Sequence, residues 1–183
     1  MRQGTARQSA KGFTLLETMI ALLVLVVGVL GLAAMLADAL AYMGGSQYDF
    51  IAQQKAEQAV EAIFTAKYNN AVTWTQVSNF SVANPTGLFL TGAQPLLQTG
   101  PDGLVGSVND VAAPPDFILD PGPDGRLGTA DDIQRPLRAF TRTITIADVA
   151  GNANLRTITV IVNYRTGRFN RTYTLNTLIS AFN

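Results

Sequence analysis

Twenty consecutive uncharged residues, 18–37, follow a lone acid at Glu17. A helix of about 20 apolar residues is long enough to cross a bilayer core. A carboxylate at the mouth of such a run is costly unless it finds a partner. Ahead of it lie Arg2, Arg7 and Lys11 and no acid, the charge pattern of an export leader. An ordinary secretory signal has an apolar core of about 7–15 residues, shorter than this one. Cleavage after the small-x-small triplet Ala39-Leu40-Ala41 would start the mature chain at Tyr42 and leave Glu17 without a use. A plain membrane anchor is the other reading, because about 20 apolar residues would span a bilayer. If the chain is cut between Gly12 and Phe13, the acid gains a use. Phe13 then carries a cationic amine, and Glu17 becomes the fifth residue, one helical turn away. A helix N-terminus also favours a nearby negative side chain. When many copies pack side by side, the Glu17 of one can neutralise the amine of another.

Lys11, Gly12, Phe13, Thr14, Leu15 and Glu17, with the apolar run beyond, resemble the prepilin signature of type IV pilins and type II secretion pseudopilins. The resemblance implies cleavage after Gly12 by a prepilin peptidase and N-methylation of Phe13. It also implies Glu17 as an assembly contact, and other pilins or pseudopilins as partners through the N-terminal helix.

Composition narrows the chemistry. The 183 residues allow one domain beside a membrane segment. Net charge is zero, and removal of the basic leader leaves a mildly acidic chain, so nothing points to nucleic acid. There is no cysteine and no histidine. That removes disulfides, thiol chemistry and the commonest general base. No phosphate loop, nucleophile elbow or triad pattern is present, so the expectation is a non-enzyme.

The chain divides into a leader (1–12), the apolar half of a long helix (13–41), an amphipathic half (42–70) and a head (71–183). Gly28 and Gly31 weaken the apolar half or permit close helix packing, and Gly44-Gly45 marks a kink or break. Beyond it Ile51, Ala52, Ala56, Ala59, Val60 and Ile63 recur at helical spacing, and Asn69-Asn70 closes the helix. Residues 72–75, 88–90 and 116–119 are short strand candidates, and Trp74 is a candidate core plug. Residues 139–147, 155–164 and 171–180 are rich in Thr, Ile, Val and Tyr. Ile158, Val160, Val162 and Tyr164 alternate with polar residues. The expected fold is α+β, a long N-terminal helix packed on a C-terminal antiparallel β-meander. The tail 156–164 and 171–179 also resembles the end of PilV-like minor pilins, the type IV pilus modification proteins.

Residues 100–111 and 122–133 are two copies of Gly-Pro-Asp-Gly-x-aliphatic-Gly-Ser/Thr-x-Asn/Asp-Asp-aliphatic. The second copy, with Asp120 just before it, offers Asp120, Asp124, Asp131 and Asp132, oxygen ligands of the kind Ca²⁺ takes. It resembles the calcium loop of the major type II secretion pseudopilin, although that loop lies nearer the C-terminus. The first copy keeps only Asp102 and Asp110, with Asn109 between. The plainer reading is that Pro-Asp-Gly makes turns.

The function expected from the sequence is a minor pilin, a structural subunit of a type IV pilus with a role in assembly or at the tip. A minor pseudopilin of a type II secretion system and a membrane-tethered calcium-binding or adhesive module are the alternatives. Its expected place is the bacterial inner membrane, single-pass with the head outside the cytoplasm, and then the pilus or pseudopilus.

Overall fold

A computed structural model describes residues 14–167 and 169–182. The chain forms two compact units, Met1–Met43 and Gly44–Asn183. A single helix, α1 (Leu15–Tyr68), runs through the boundary without interruption at Gly44-Gly45. The glycine pair, expected as a kink or break, keeps helical hydrogen bonding.

In the first unit α1 is apolar all round. Every described side chain from Thr14 to Leu40 is exposed. Such a helix is one meant for burial in a non-aqueous or assembled setting, and its length and composition suffice to cross a membrane.

The second unit is the head. Its part of α1 turns Ile51, Ala52, Ala56, Ala59, Ile63 and Ala66 inward at the spacing of one helical face, all buried. Small alanines along this face allow a sheet to approach closely. The helix ends as expected at Asn70, whose left-handed φ of 55° reverses the chain.

Opposite this face lies a four-stranded antiparallel sheet in the order β1-β4-β5-β6. Its strands are β1 (Gln94–Pro95), β4 (Phe140–Val149), β5 (Asn152–Thr166) and β6 (Phe169–Ser180). The last three form the meander expected from the sequence, open rather than closed into a barrel. The alternation in β5 is obeyed: Ile158, Val160 and Val162 are fully buried, and Tyr164 nearly so. A smaller hairpin, β2 (Phe117–Asp120) with β3 (Ile133–Pro136), carries the second repeat between its strands. Neither β1 nor β3 was foreseen.

Residues 72–75 form turns rather than a strand. Thr73 and Gln76 hydrogen-bond to each other, and Ser78 Oγ donates to the Thr75 carbonyl at 2.7 Å. Local bonds of this kind compete with strand pairing. Trp74 packs at the margin of the core. Its Nε1 donates to the Ala153 carbonyl at 3.2 Å, and the Arg156 guanidinium stacks 4.3 Å from its ring centroid.

Two polar links fasten head elements. Arg171 on β6 pairs with Asp49 on α1 at 2.7 Å, and the Tyr164 hydroxyl donates to the same carboxylate. Beside them Tyr48, Phe140 and Tyr164 stack at 5.4 and 5.3 Å.

Candidate functional site

Two regions carry the residues singled out by the sequence: the start of α1 and the pair of Gly-Pro-Asp-Gly loops.

At the start of α1, Thr14 caps the helix. Its Oγ1 accepts the Glu17 N–H at 3.2 Å, and its carbonyl accepts the Thr18 N–H. Thr14-Leu15-Leu16-Glu17 is thus a capping-box sequence, a signal that could have placed the helix start to the residue. Glu17 is exposed in the first turn, and its carboxylate makes no hydrogen bond or ion pair with another described residue. Along the same helix a methyl group added at Gly28 or Gly31 would meet nothing within 4 Å. Among the described residues no neighbour requires those glycines. The cleavage and methylation positions, Gly12 and Phe13, and the rest of the leader lie outside the described residues.

The two loops share a backbone plan. Gly103 N–H donates to the Gly100 carbonyl at 3.1 Å, and Gly125 N–H to the Gly122 carbonyl at 3.0 Å. Asp102 Oδ1 accepts the Leu104 N–H, and Asp124 Oδ1 accepts the Arg126 N–H. Each aspartate therefore holds an Asx turn. Gly100 and Gly122 allow a close approach in both: an added Cβ would lie 2.2 Å from Asp110 Oδ1 or 2.3 Å from the Asp131 carbonyl.

Their surroundings differ. The first loop is part of the head core. Leu104, Val105, Ser107 and Asp110 are buried, and the loop pairs with residues 88–90 through Leu90 N–H to Gly106 O and Val108 N–H to Leu88 O. Asp102 also accepts the Ser107 hydroxyl at 2.8 Å and the Asn109 amide at 2.9 Å. Burial pushes the Asp102 carboxyl up, but these donors outweigh it and hold it below the usual carboxylate range. Asp110 is 1% exposed. Its Oδ2 accepts the Ser107 N–H at 3.0 Å. Burial, with the Asp102 charge adding to it, raises its carboxyl above the usual range.

Arg142 of β4 lies buried behind this loop, a residue the sequence did not single out. Burial pushes its guanidinium down to about 10, with Asp116 and Asp110 opposing the shift, so it stays cationic at neutral pH. Lys55 of α1 joins the cluster through a 2.6 Å bridge to Asp116. Charges from the loop, the helix and the sheet are thus brought near one another, with Asp110 and Arg142 buried and Lys55 and Asp116 half-buried.

The second loop is exposed from residue 123 to 131. Its carboxylates serve as internal acceptors. Asp131 accepts the Thr129 hydroxyl at 2.7 Å and the Asp124 N–H at 3.3 Å. The Thr129 bond, with the Asp124 N–H, holds its carboxyl below the usual range. Asp132 accepts the Gly128 N–H at 2.6 Å. Asp120 is not gathered with them: it pairs with Arg135 across the β2–β3 hairpin. Among the described residues no group of three or more carboxylates is arranged to hold a metal ion. Nor do they contain a catalytic constellation.

Residues 7–33 match the family model for the prokaryotic N-terminal methylation motif. No curated protein and no solved structure matches the chain. The matched stretch ends inside the apolar half of α1 and covers Gly12, Phe13 and Glu17. The N-terminal segment therefore carries the cleavage and methylation motif typical of type IV pilin-like prepilins.

Proposed function

We propose that this protein is a minor pilin, a structural subunit that enters a type IV pilus after cleavage behind Gly12 and methylation of Phe13. The observation that carries the reading is the combination at the start of α1. A cleavage and methylation motif leads into a helix on whose apolar half every described side chain is exposed. At the head of that helix stands a carboxylate with no described partner. Processing implies a prepilin peptidase and methylase as partners. The apolar half holds the precursor in the inner membrane, with the head outside the cytoplasm, and afterwards packs among other subunits in the filament core. The role of Glu17 follows from the cost of a carboxylate at the lipid boundary. The Phe13 amine that cleavage creates is the cation available to it. Between chains an axial stagger brings the two together, so the same pair that neutralises the charge also sets the register. A buried pair broken on one side costs about 3–5 kcal/mol.

The test has two steps. Mass analysis of the mature protein is expected to find methyl-Phe13 as the N-terminus. An intact Met1 or a start at Tyr42 would replace the pilin reading with a tethered or a released module. Next, Glu17→Ala is expected to be processed normally and yet be depleted in sheared filaments. Incorporation equal to wild type would remove the assembly role of Glu17. Assay of pilus and secretion mutants for loss of the protein from the shear fraction separates a pilus subunit from a type II secretion pseudopilin.

A further inference from the structure

The two edges of the four-stranded sheet are treated differently. The outer edge of β4 is closed. β1 pairs with it through Gln94↔Arg142 and Pro95↔Thr141, and Pro95 has no N–H to offer a further strand. The Asn79 side chain then takes the next exposed groups. Its Nδ2 donates to the Ile144 carbonyl, and its Oδ1 accepts the Ile146 N–H, both at 2.7 Å.

The opposite edge is open. β6 is 12 residues long and pairs with β5 in unbroken register from Thr166↔Phe169 to Leu155↔Ser180. In an antiparallel pair every second residue turns its N–H and C=O away from the partner. Among the described residues no other strand or isolated bridge pairs with residues 172–180. None of the usual edge protections is present there. Residues 172–180 contain no proline, no glycine and no charged side chain, and β6 has no bulge. Thr172, Tyr173, Thr174, Thr177 and Ile179 are residue types that favour strands.

We infer that the outer edge of β6 is an interaction surface for a β-strand, and that this strand is β6 of a second copy of the chain. A row of backbone donors and acceptors selects a strand over any other occupant. Two antiparallel copies of one edge are self-complementary about a two-fold axis. The absence of charge matters most for self-pairing, because a second copy brings the same charges to the same edge, and like charges directly opposite repel. Pairing centred on Leu175 sets Thr174 opposite Asn176 of the second copy, and Thr172 opposite Leu178. The first is a hydrogen-bonding pair, and the second covers a leucine that is 53% exposed in the single chain. Arg171 then falls opposite Ile179, eight residues from its own counterpart. At 3.4 Å per residue the two like charges stay about 27 Å apart.

The chain has no cysteine of its own, so introduced thiols report without background. Thr172→Cys, Thr174→Cys, Asn176→Cys and Leu178→Cys chains, full length and carrying two different tags, are co-expressed in pairs and oxidised mildly in isolated membranes. Residues directly opposite lie within disulfide reach. Mixed dimers are expected to peak for the pairs 174/176 and 172/178, at least ten-fold above a Gln94→Cys control on the closed edge. Adding Thr174→Lys to both chains of the 172/178 pair is expected to reduce its dimer severalfold. If no pair exceeds the control, the inference is overturned. Cross-linking to a different protein, identified by mass, overturns the second copy as the occupant.

Discussion

The two Gly-Pro-Asp-Gly loops are the same local structure placed in two different surroundings. Both hold a turn from their first glycine and an Asx turn from their aspartate, with bond lengths that agree closely. Yet Leu104 and Val105 of the first are buried, whereas the aligned Arg126 and Leu127 of the second are exposed. The first loop is bonded to residues 88–90 and backed by Arg142; the second caps a two-stranded hairpin. A repeated motif thus specifies a backbone path, and the residues at its variable positions decide whether that path is built into a core. Leucine at 104 demands burial, and arginine at 126 refuses it.

The largest expected difference lies at that pair. Leu104→Ala should cost about 2–5 kcal/mol, as for other fully buried leucines. Arg126→Ala should stay within about 0.5 kcal/mol. Denaturant midpoints of the full chain in detergent measure both, and equal losses would mean that the first loop is no more a part of the core than the second.

The aspartates come next. Asp102→Ala strips the acceptor from Leu104 N–H, Ser107 Oγ and Asn109 Nδ2 in a half-buried setting, a loss of about 1–3 kcal/mol. Asp124→Ala should cost less than about 1 kcal/mol, because water reaches the freed Arg126 N–H. Hydrogen exchange at Leu104 and Arg126 reads the same contrast locally: protection should collapse at the first and change little at the second.

Acid provides a subtler probe. Asp102 has a carboxyl held low in the folded state. Its contribution to stability is present above the unfolded value of about 3.9 and is lost as pH falls through the folded one. Asp110 has the opposite sign: raised by burial, it favours the fold when protonated, and this is lost as pH rises through its folded value. Between pH 7 and 3 the Asp102→Asn chain should therefore lose stability less steeply than wild type. Asp131→Asn should follow the wild-type curve closely, because the Asp131 carboxylate is fully exposed and screened. Parallel changes in both variants would erase the distinction.

The smallest effect is expected from calcium. A cation at the second loop has to draw Asp120 from Arg135 and share Asp124, Asp131 and Asp132 with the N–H and O–H donors they already accept. Millimolar Ca²⁺ should leave the thermal midpoint where it is. A rise that Asp124→Ala with Asp132→Ala removes would establish the second loop as a cation site.

Much of the head was legible. The helical spacing of Ile51, Ala52, Ala56, Ala59 and Ile63 and the alternation in β5 are periodic signals, and both mark the buried face seen in the structure. Asn70 ends α1 in the left-handed conformation that asparagine tolerates. Less was legible where partners are remote. Nothing local told that Asn79 would close the β4 edge 65 residues away, or that Arg142 would be buried between Lys55, Asp110 and Asp116. Residues 72–75 read as a strand by composition but form turns, because Thr73, Gln76 and Ser78 satisfy backbone and side-chain groups locally.

By itself the sequence determined the N-terminal half of the molecule's logic: a processing motif, a capped helix start, an acid at Glu17 and an apolar run. These features work through chain-local chemistry, in which spacing along the backbone is spacing in space. It also determined that both repeats turn, since glycine and aspartate act within a few bonds. Only the tertiary structure decided what the first repeat packs against, which aspartate titrates high or low, and which sheet edge is closed. Those outcomes depend on desolvation and on hydrogen bonds between residues far apart in the chain, and no local pattern encodes which distant donor will arrive.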